Sequence, residues 1–132
     1  MILDTSALIA MLTNEEDGDA LSRVLDEQQV VRMSAATYVE TSVVIDVHRD
    51  AALSARLDDM LLDAEIVIEP VTPEQARIAR QAYRDYGKGS GHKANLNFGD
   101  CFSYALAREK REPILFKGDD FGHTDLRPAV NP

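Results

Sequence analysis

The chain has 132 residues, 45% hydrophobic and 28% charged, an ordinary globular composition for one domain (1–132) with a sizeable core. No apolar stretch approaches the ~20 residues of a membrane span, the start does not read as a signal peptide, and Cys101, the only cysteine, excludes an intrachain disulfide and suits a reducing cytoplasm. Fourteen Lys and Arg against 23 Asp and Glu give a formal charge of −9, so a polyanionic substrate would need a bound cation or a local basic patch to approach.

In chain order, Ile2-Leu3 is a short apolar run, and Asp4-Thr5-Ser6 opens a helical pattern through Leu12. After a polar break at Asn14 to Glu16, Ala20, Leu21, Val24 and Leu25 recur at helical spacing. Val30 to Ser34 predicts a short strand. Helices are predicted from about Ala35 to His48 and from about Ala51 to Asp63, the second with Leu53, Leu57, Met60 and Leu61 on one face. Ile66 to Ile68 predicts a buried strand. Thr72-Pro73-Glu74 starts a helix that runs to about Tyr86, with threonine as cap and proline in the first turn. The segment GKGSGHKANL, residues 87–96, predicts a mobile, locally basic loop. Asn97-Phe98-Gly99-Asp100 opens the last helix, which ends near Arg111 before Pro113. Ile114 to Phe116 is the last strand, followed by a turn at Gly118 to Phe121 and a short, strand-like tail. Strands alternating with helices predict an α/β fold with a parallel sheet covered on both faces. Such sheets bind ligands at the carboxyl ends of their strands.

Four acids stand out against that frame. Asp4 and Asp119 each follow a strand, where a turn or helix-cap role is the ordinary explanation. Glu40 falls within a stripe formed by Ala36, Val39, Val43, Val44 and Val47, an unusual place for a charge without a partner. Asp100 stands three residues after Asn97, close to a capping box, and lies off the stripe of Phe98, Cys101, Phe102, Ala105 and Leu106. Carboxylates gathered in one cleft repel unless protonated or neutralised by a cation. Oxygen ligands without a His or Cys cluster favour Mg²⁺ or Mn²⁺ over Zn²⁺.

The segments ILDTSALIA, YVETSVV, FGDCFSYALA and LFKGDDFGHTD resemble, in order and spacing, the four acidic motifs of PIN-domain ribonucleases. The nearest likeness is to VapC-like toxins of type II toxin–antitoxin pairs. The resemblance implies a three-layer α/β/α fold with a mostly parallel sheet. It implies Asp4, Glu40, Asp100 and Asp119 as a catalytic cluster binding Mg²⁺ or Mn²⁺, and endonucleolytic cleavage of RNA. It further implies homodimerisation and inhibition by a VapB-like antitoxin with a basic C-terminal segment. Thr5 and Ser6 match the polar pair after the first acid and could hold a ligand or a water. Asp119 is preferred to its neighbour Asp120 as fourth acid; Asp120 and Asp125 are expected to play supporting or structural parts. Lys88, His92 and Lys93 are candidate RNA contacts. Two rival classes remain: a phosphatase of the haloacid-dehalogenase type, although its usual second Asp is replaced by Ser6, and a non-catalytic acidic binding module. No element predicts membrane association, and the expected location is the cytoplasm.

Overall fold

The computed structural model describes residues 1–130; the last two positions of the predicted 1–132 domain lie outside the described residues. Four strands, β1 (Ile2–Leu3), β2 (Arg32–Ser34), β3 (Val67–Glu69) and β4 (Ile114–Leu115), form one sheet in the order β3-β2-β1-β4. All three pairings are parallel, with Ile2 opposite Arg32 and Ile114, and Met33 opposite Ile68. Six helices connect and cover the strands: α1 (Thr5–Leu12), α2 (Gly18–Asp26), α3 (Ala35–Asp46), α4 (Ala51–Asp63), α5 (Pro73–Tyr86) and α6 (Phe98–Lys110). This is the predicted α/β architecture. None of these helices is long and apolar enough to cross a membrane.

Side-chain alternation divides the core into two layers despite the shortness of the strands. Ile2 and Ile114 point to one face, where they meet Ala79, Ala82, Leu106 and Phe121 of α5, α6 and the segment after β4. Leu3, Met33 and Leu115 point to the other, against Leu8, Met11, Leu21 and Leu25 of α1 and α2. Helix α3 packs against both α1 and α6, and its Ile45 joins Leu12 and Leu57 in a smaller third cluster.

The boundaries follow local chemistry. Asp4 caps α1, Ser34 caps α3, Asp50 caps α4, and Thr72 caps α5 with Pro73 at the first helical position. Asn97 and Asp100 complete a reciprocal capping box on α6, which Arg111 ends in the left-handed conformation.

The structure corrects the sequence reading in four places. The predicted buried strand at Ile66 to Ile68 is the sheet edge, with Val67 41% and Ile68 45% exposed, because nothing pairs beyond β3. The valine stripe of α3 faces outward: Val39, Val43 and Val47 are exposed, and the buried face is Thr37, Thr41 and Ile45. Phe98 is likewise exposed at the start of α6, its ring edge against Phe102. Finally, the 87–96 segment is anchored. Ala94 and Leu96 are buried in the core, Lys88 N–H donates to Leu96 O, and Leu96 N–H donates to Tyr86 O. The tail after β4 forms a single 3₁₀ turn at Phe121–His123, then returns to bridge Ile114 with Pro128 in parallel.

Candidate active site

The carboxyl end of β1, the start of α6 and the middle of α3 bring three of the predicted acids, Asp4, Glu40 and Asp100, into one region. Asp4 is held most tightly. It leaves β1 in an extended conformation, with its N–H donating to Leu115 O, and is 2% exposed. Its Oδ2 accepts from Ser6 N–H at 3.0 Å and from the Ser6 hydroxyl at 2.6 Å, and its Oδ1 accepts from the Ser103 hydroxyl at 2.6 Å. The Ser6 oxygen in turn accepts from Lys117 N–H, tying the end of β4 to the same carboxylate. Asp4 is therefore both the helix cap that its position suggests and a rim carboxylate.

Glu40 projects from α3 toward the first turn of α6. Its Oε1 accepts from the Thr5 hydroxyl at 2.7 Å, and the Thr5 oxygen lies 2.9 Å from Thr41 Oγ1. The Glu40 carboxylate fills the space beside Gly99 so fully that a Cβ at that position would collide with it. This places Glu40 next to Asp100, the residue that follows.

Asp100 carries the strongest electrostatic signature. Its carboxyl is pushed up from 3.8 to about 7. Desolvation is the largest cause, opposed by the Asn97 N–H that donates to Oδ2, and reinforced by the charges of Asp4, Asp120 and Glu40. Asp120 is among the charges that bear on Asp100. Asp119 lines a cleft with Leu21, Phe116, Lys117 and His123. Asp125 is engaged elsewhere: it accepts from the Tyr104 hydroxyl and pairs with Arg108 at 2.7 Å.

No ion pair among the described residues involves Asp4, Glu40, Asp100, Asp119 or Asp120; the nearby Lys117 pairs with Glu15. Nor does any group of three or more His, Cys, Asp or Glu side chains among those residues close into a ligand sphere. The donor chemistry nonetheless fits a hard divalent cation: mutually repelling carboxylate oxygens, partly desolvated, with no side-chain cation neutralising them. Asp4, Glu40 and Asp100 are the residues that could hold it, with Asp119 or Asp120 as a fourth.

Of the candidate RNA contacts, Lys88 and Lys93 are exposed. His92 is half-buried, its Nδ1 accepting from Ala94 N–H and its ring edge against Tyr86. Sequence reasoning overlooked Ser103, Thr37 and Thr41. Their signal was present: two threonines one helical turn apart around Glu40, and a serine one turn after Asp100.

Residues 1–126 match the PIN domain. The chain belongs to the PIN-domain family, which sets aside the haloacid-dehalogenase alternative. Within it, the chain is a VapC-type member: it is 54% identical to Ribonuclease VapC28 of Mycobacterium tuberculosis over 99% of this chain and 98% of that protein. It is 44% identical to Ribonuclease VapC30 of the same organism over the full length of both. Among solved structures, M. tuberculosis VapC20, described as a sarcin-ricin loop cleaving toxin, superposes with a TM-score of 0.75 at 19% identity, covering 99% and 98% of the two chains. FitAcB from Neisseria gonorrhoeae gives 0.69 at 20% identity, covering 96% and 94%. These likenesses establish the three-layer fold.

Proposed function

We propose that the chain is a divalent-cation-dependent endoribonuclease and the toxin of a toxin–antitoxin pair, acting in the cytoplasm. The carrying observation is the Asp100 carboxyl, raised to about 7 at a rim it shares with Asp4, Glu40 and Asp120. The near-full-length identity to proteins named ribonucleases supports the same reading. Asp120 is preferred here to Asp119 as the fourth acid because its charge contributes to the shift at Asp100.

When bound, Mg²⁺ or Mn²⁺ supplies the positive charge that lets a phosphodiester approach an acidic chain, and a Lewis acid for its oxygens. The protein's own part is positional. Ser6 and Ser103 fix both oxygens of Asp4, Thr5 fixes Glu40, and the Asn97 cap holds Asp100 at the start of α6. Lys88 and Lys93, exposed charges on an anchored loop, are the proposed contacts to RNA phosphates.

Two partners follow. The exposed valines of α3 form an apolar face suited to a second copy of the chain. The acid cluster, unpaired by any lysine or arginine of its own, suits an Arg or Lys from the C-terminal segment of an antitoxin, since arginine binds carboxylates bidentately.

The test is cleavage of RNA by purified protein. Fragments are expected with Mg²⁺ or Mn²⁺, and none in EDTA or with Asp4→Asn. Asp120→Asn is expected to impair cleavage more than Asp119→Asn. Undiminished cleavage in EDTA overturns the metal dependence; no cleavage under any metal leaves only the non-catalytic acidic binding module.

A further inference from the structure

Helix α3 turns an unusual face inward. Its buried residues are Thr37, Thr41 and Ile45, each one helical turn from the next, while its valines are exposed. Thr37 and Thr41 are each 1% exposed, and Ser103, which Thr37 meets across the helix interface, is 0% exposed. Stability alone does not call for these hydroxyls. Replacing both partners of such a buried hydrogen bond by apolar groups of the same shape is nearly neutral.

Proton counting gives the hydroxyls a direction. Thr37 Oγ1 lies 3.1 Å from Ser103 Oγ. Ser103 has one hydroxyl proton and donates it to Asp4 Oδ1. The proton between Thr37 and Ser103 is therefore donated by Thr37. In the same way, Thr5 donates its only hydroxyl proton to Glu40 Oε1, so the 2.9 Å contact with Thr41 is donated by Thr41. Two parallel relays result, Thr37 to Ser103 to Asp4 and Thr41 to Thr5 to Glu40. Both begin one turn apart on the same helix face and both end on a carboxylate. No buried side-chain polar atom among the described residues is left without a partner. Hydrogen bonds linked in series also polarise and stiffen one another.

We infer that Thr37 and Thr41 are positioning residues of the acid site: acting through Ser103 and Thr5, they fix the directions in which the Asp4 and Glu40 carboxylates point. Neither threonine hydroxyl bonds to the Asp4 or Glu40 carboxylate itself. Their effect is to limit the rotation of the hydroxyls that do. The inference rests on the proposed reading of these acids as a divalent-cation site and extends it to the helix behind them. It also explains why the buried face of α3 carries two threonines where its outer face is apolar. The relays need hydroxyls on the inner side.

The test compares Thr37→Val and Thr41→Val, which keep the shape and lose the hydroxyl, with Thr37→Ser and Thr41→Ser, which keep the hydroxyl and lose the methyl. Each is melted in EDTA, then titrated with Mn²⁺, reading both the melting temperature and RNA cleavage. The valine variants are expected to need about tenfold more Mn²⁺ for half of the full effect in both assays, and the serine variants to stay within about twofold of wild type, as when a group supporting a metal ligand is removed or kept. Should a valine variant fail to fold in EDTA, the alanine and serine variants at the same position, which differ only in the hydroxyl, decide in the same way. Valine or alanine variants that titrate like their serine counterparts overturn the inference. If the wild type cleaves RNA with Mn²⁺ and is stabilised by it while the variants match it, only the relays fall. If the wild type does neither, the proposed function falls and the inference with it.

Discussion

Replacing Asp100 by Asn should make the metal-free protein more stable while abolishing cleavage. The wild-type carboxyl is raised from 3.8 to about 7, first by desolvation and then by Asp4, Asp120 and Glu40. A shift of that size corresponds to at most about 4 kcal/mol at 1.36 kcal/mol per unit. Solvent screening at this partly exposed side chain reduces it to about 1–2 kcal/mol. Asparagine keeps the acceptor for Asn97 N–H, so the capping box survives, but it gives up a negative charge at a helix N-terminus worth about 0.5 kcal/mol. The net gain is about 1 kcal/mol, or about 3–5 °C for a domain of this length. The sign sets the pH dependence. A carboxyl whose folded value lies above its unfolded value favours the folded state at low pH, and that stability is lost as pH rises from about 4 to 7. The advantage of Asn should therefore grow across that window and level off above about pH 7. Excess Mn²⁺ should then raise the wild-type melting temperature through RT ln(1 + [L]/Kd), about 2.7 kcal/mol at 100 times Kd, and raise the variant less. The assay is a set of melts of both proteins at pH 5 and pH 8, in EDTA and in Mn²⁺ at fixed ionic strength. A difference between the proteins that is the same at both pH values, together with equal Mn²⁺ shifts, would refute the crowded-acid argument and reduce Asp100 to a helix cap.

Leu96→Ala should cost about 2–5 kcal/mol, because Leu96 is fully buried within the anchored loop, while Lys93→Ala at the exposed surface leaves the melt unchanged; comparable losses would show that the loop is not anchored by its core contacts. Glu112 joins the N-terminal ammonium of Met1 at 2.8 Å and Arg32 at 2.9 Å, and these partners outweigh its desolvation and hold its carboxyl below the usual value. Its contribution to stability should be present above the unfolded value of about 4.5 and fade as pH falls below it, so Glu112→Gln should lower the melting temperature at pH 7 more than at pH 3.5. Val43→Asp on the exposed face of α3 should leave the monomer fold intact by circular dichroism while shifting light scattering from a dimer to a ~15 kDa species, the mass being that of one chain; a dimer that persists places the seam elsewhere.

The order of elements was legible in the sequence because capping chemistry and apolar spacing coincide at the helix starts. Asp4, Ser34, Thr72 and Asn97 each begin a helix and make a side-chain cap, and the Pro73 start needed no tertiary information. The faces were harder. Periodicity identified an apolar stripe on α3 without saying which way it faces, and the helix buries Thr37 and Thr41, because the space between α3 and its neighbours is occupied by hydroxyls and the Glu40 carboxylate. A stripe shows which residues share a face; whether that face is the inner one depends on the neighbouring helices. β3 was misjudged for a related reason: an apolar triplet reads alike at a sheet's centre and at its edge, and only the strand order separates the two. Among the acids, the motifs singled out Asp4, Glu40 and Asp100, and the structure brings these three side chains near one another. Asp119 and Asp120 were not separable by sequence, since which of two adjacent residues turns toward Asp100 is set by the turn that follows β4 and not by the motif.

Gly99 ties two distant stretches of the chain to a shared fate. Its missing side chain is the room that the Glu40 carboxylate occupies, so even a methyl group there would evict the acid. A chain that kept glutamate at 40 while acquiring alanine at 99 would have to swing the carboxylate away or part α3 from α6. One that shortened or lost the glutamate would be free to fill the gap. The least conspicuous residue of the third motif therefore acts as a gauge of the second: reading position 99 in a related chain tells whether a full-length acid can still sit where Glu40 sits here.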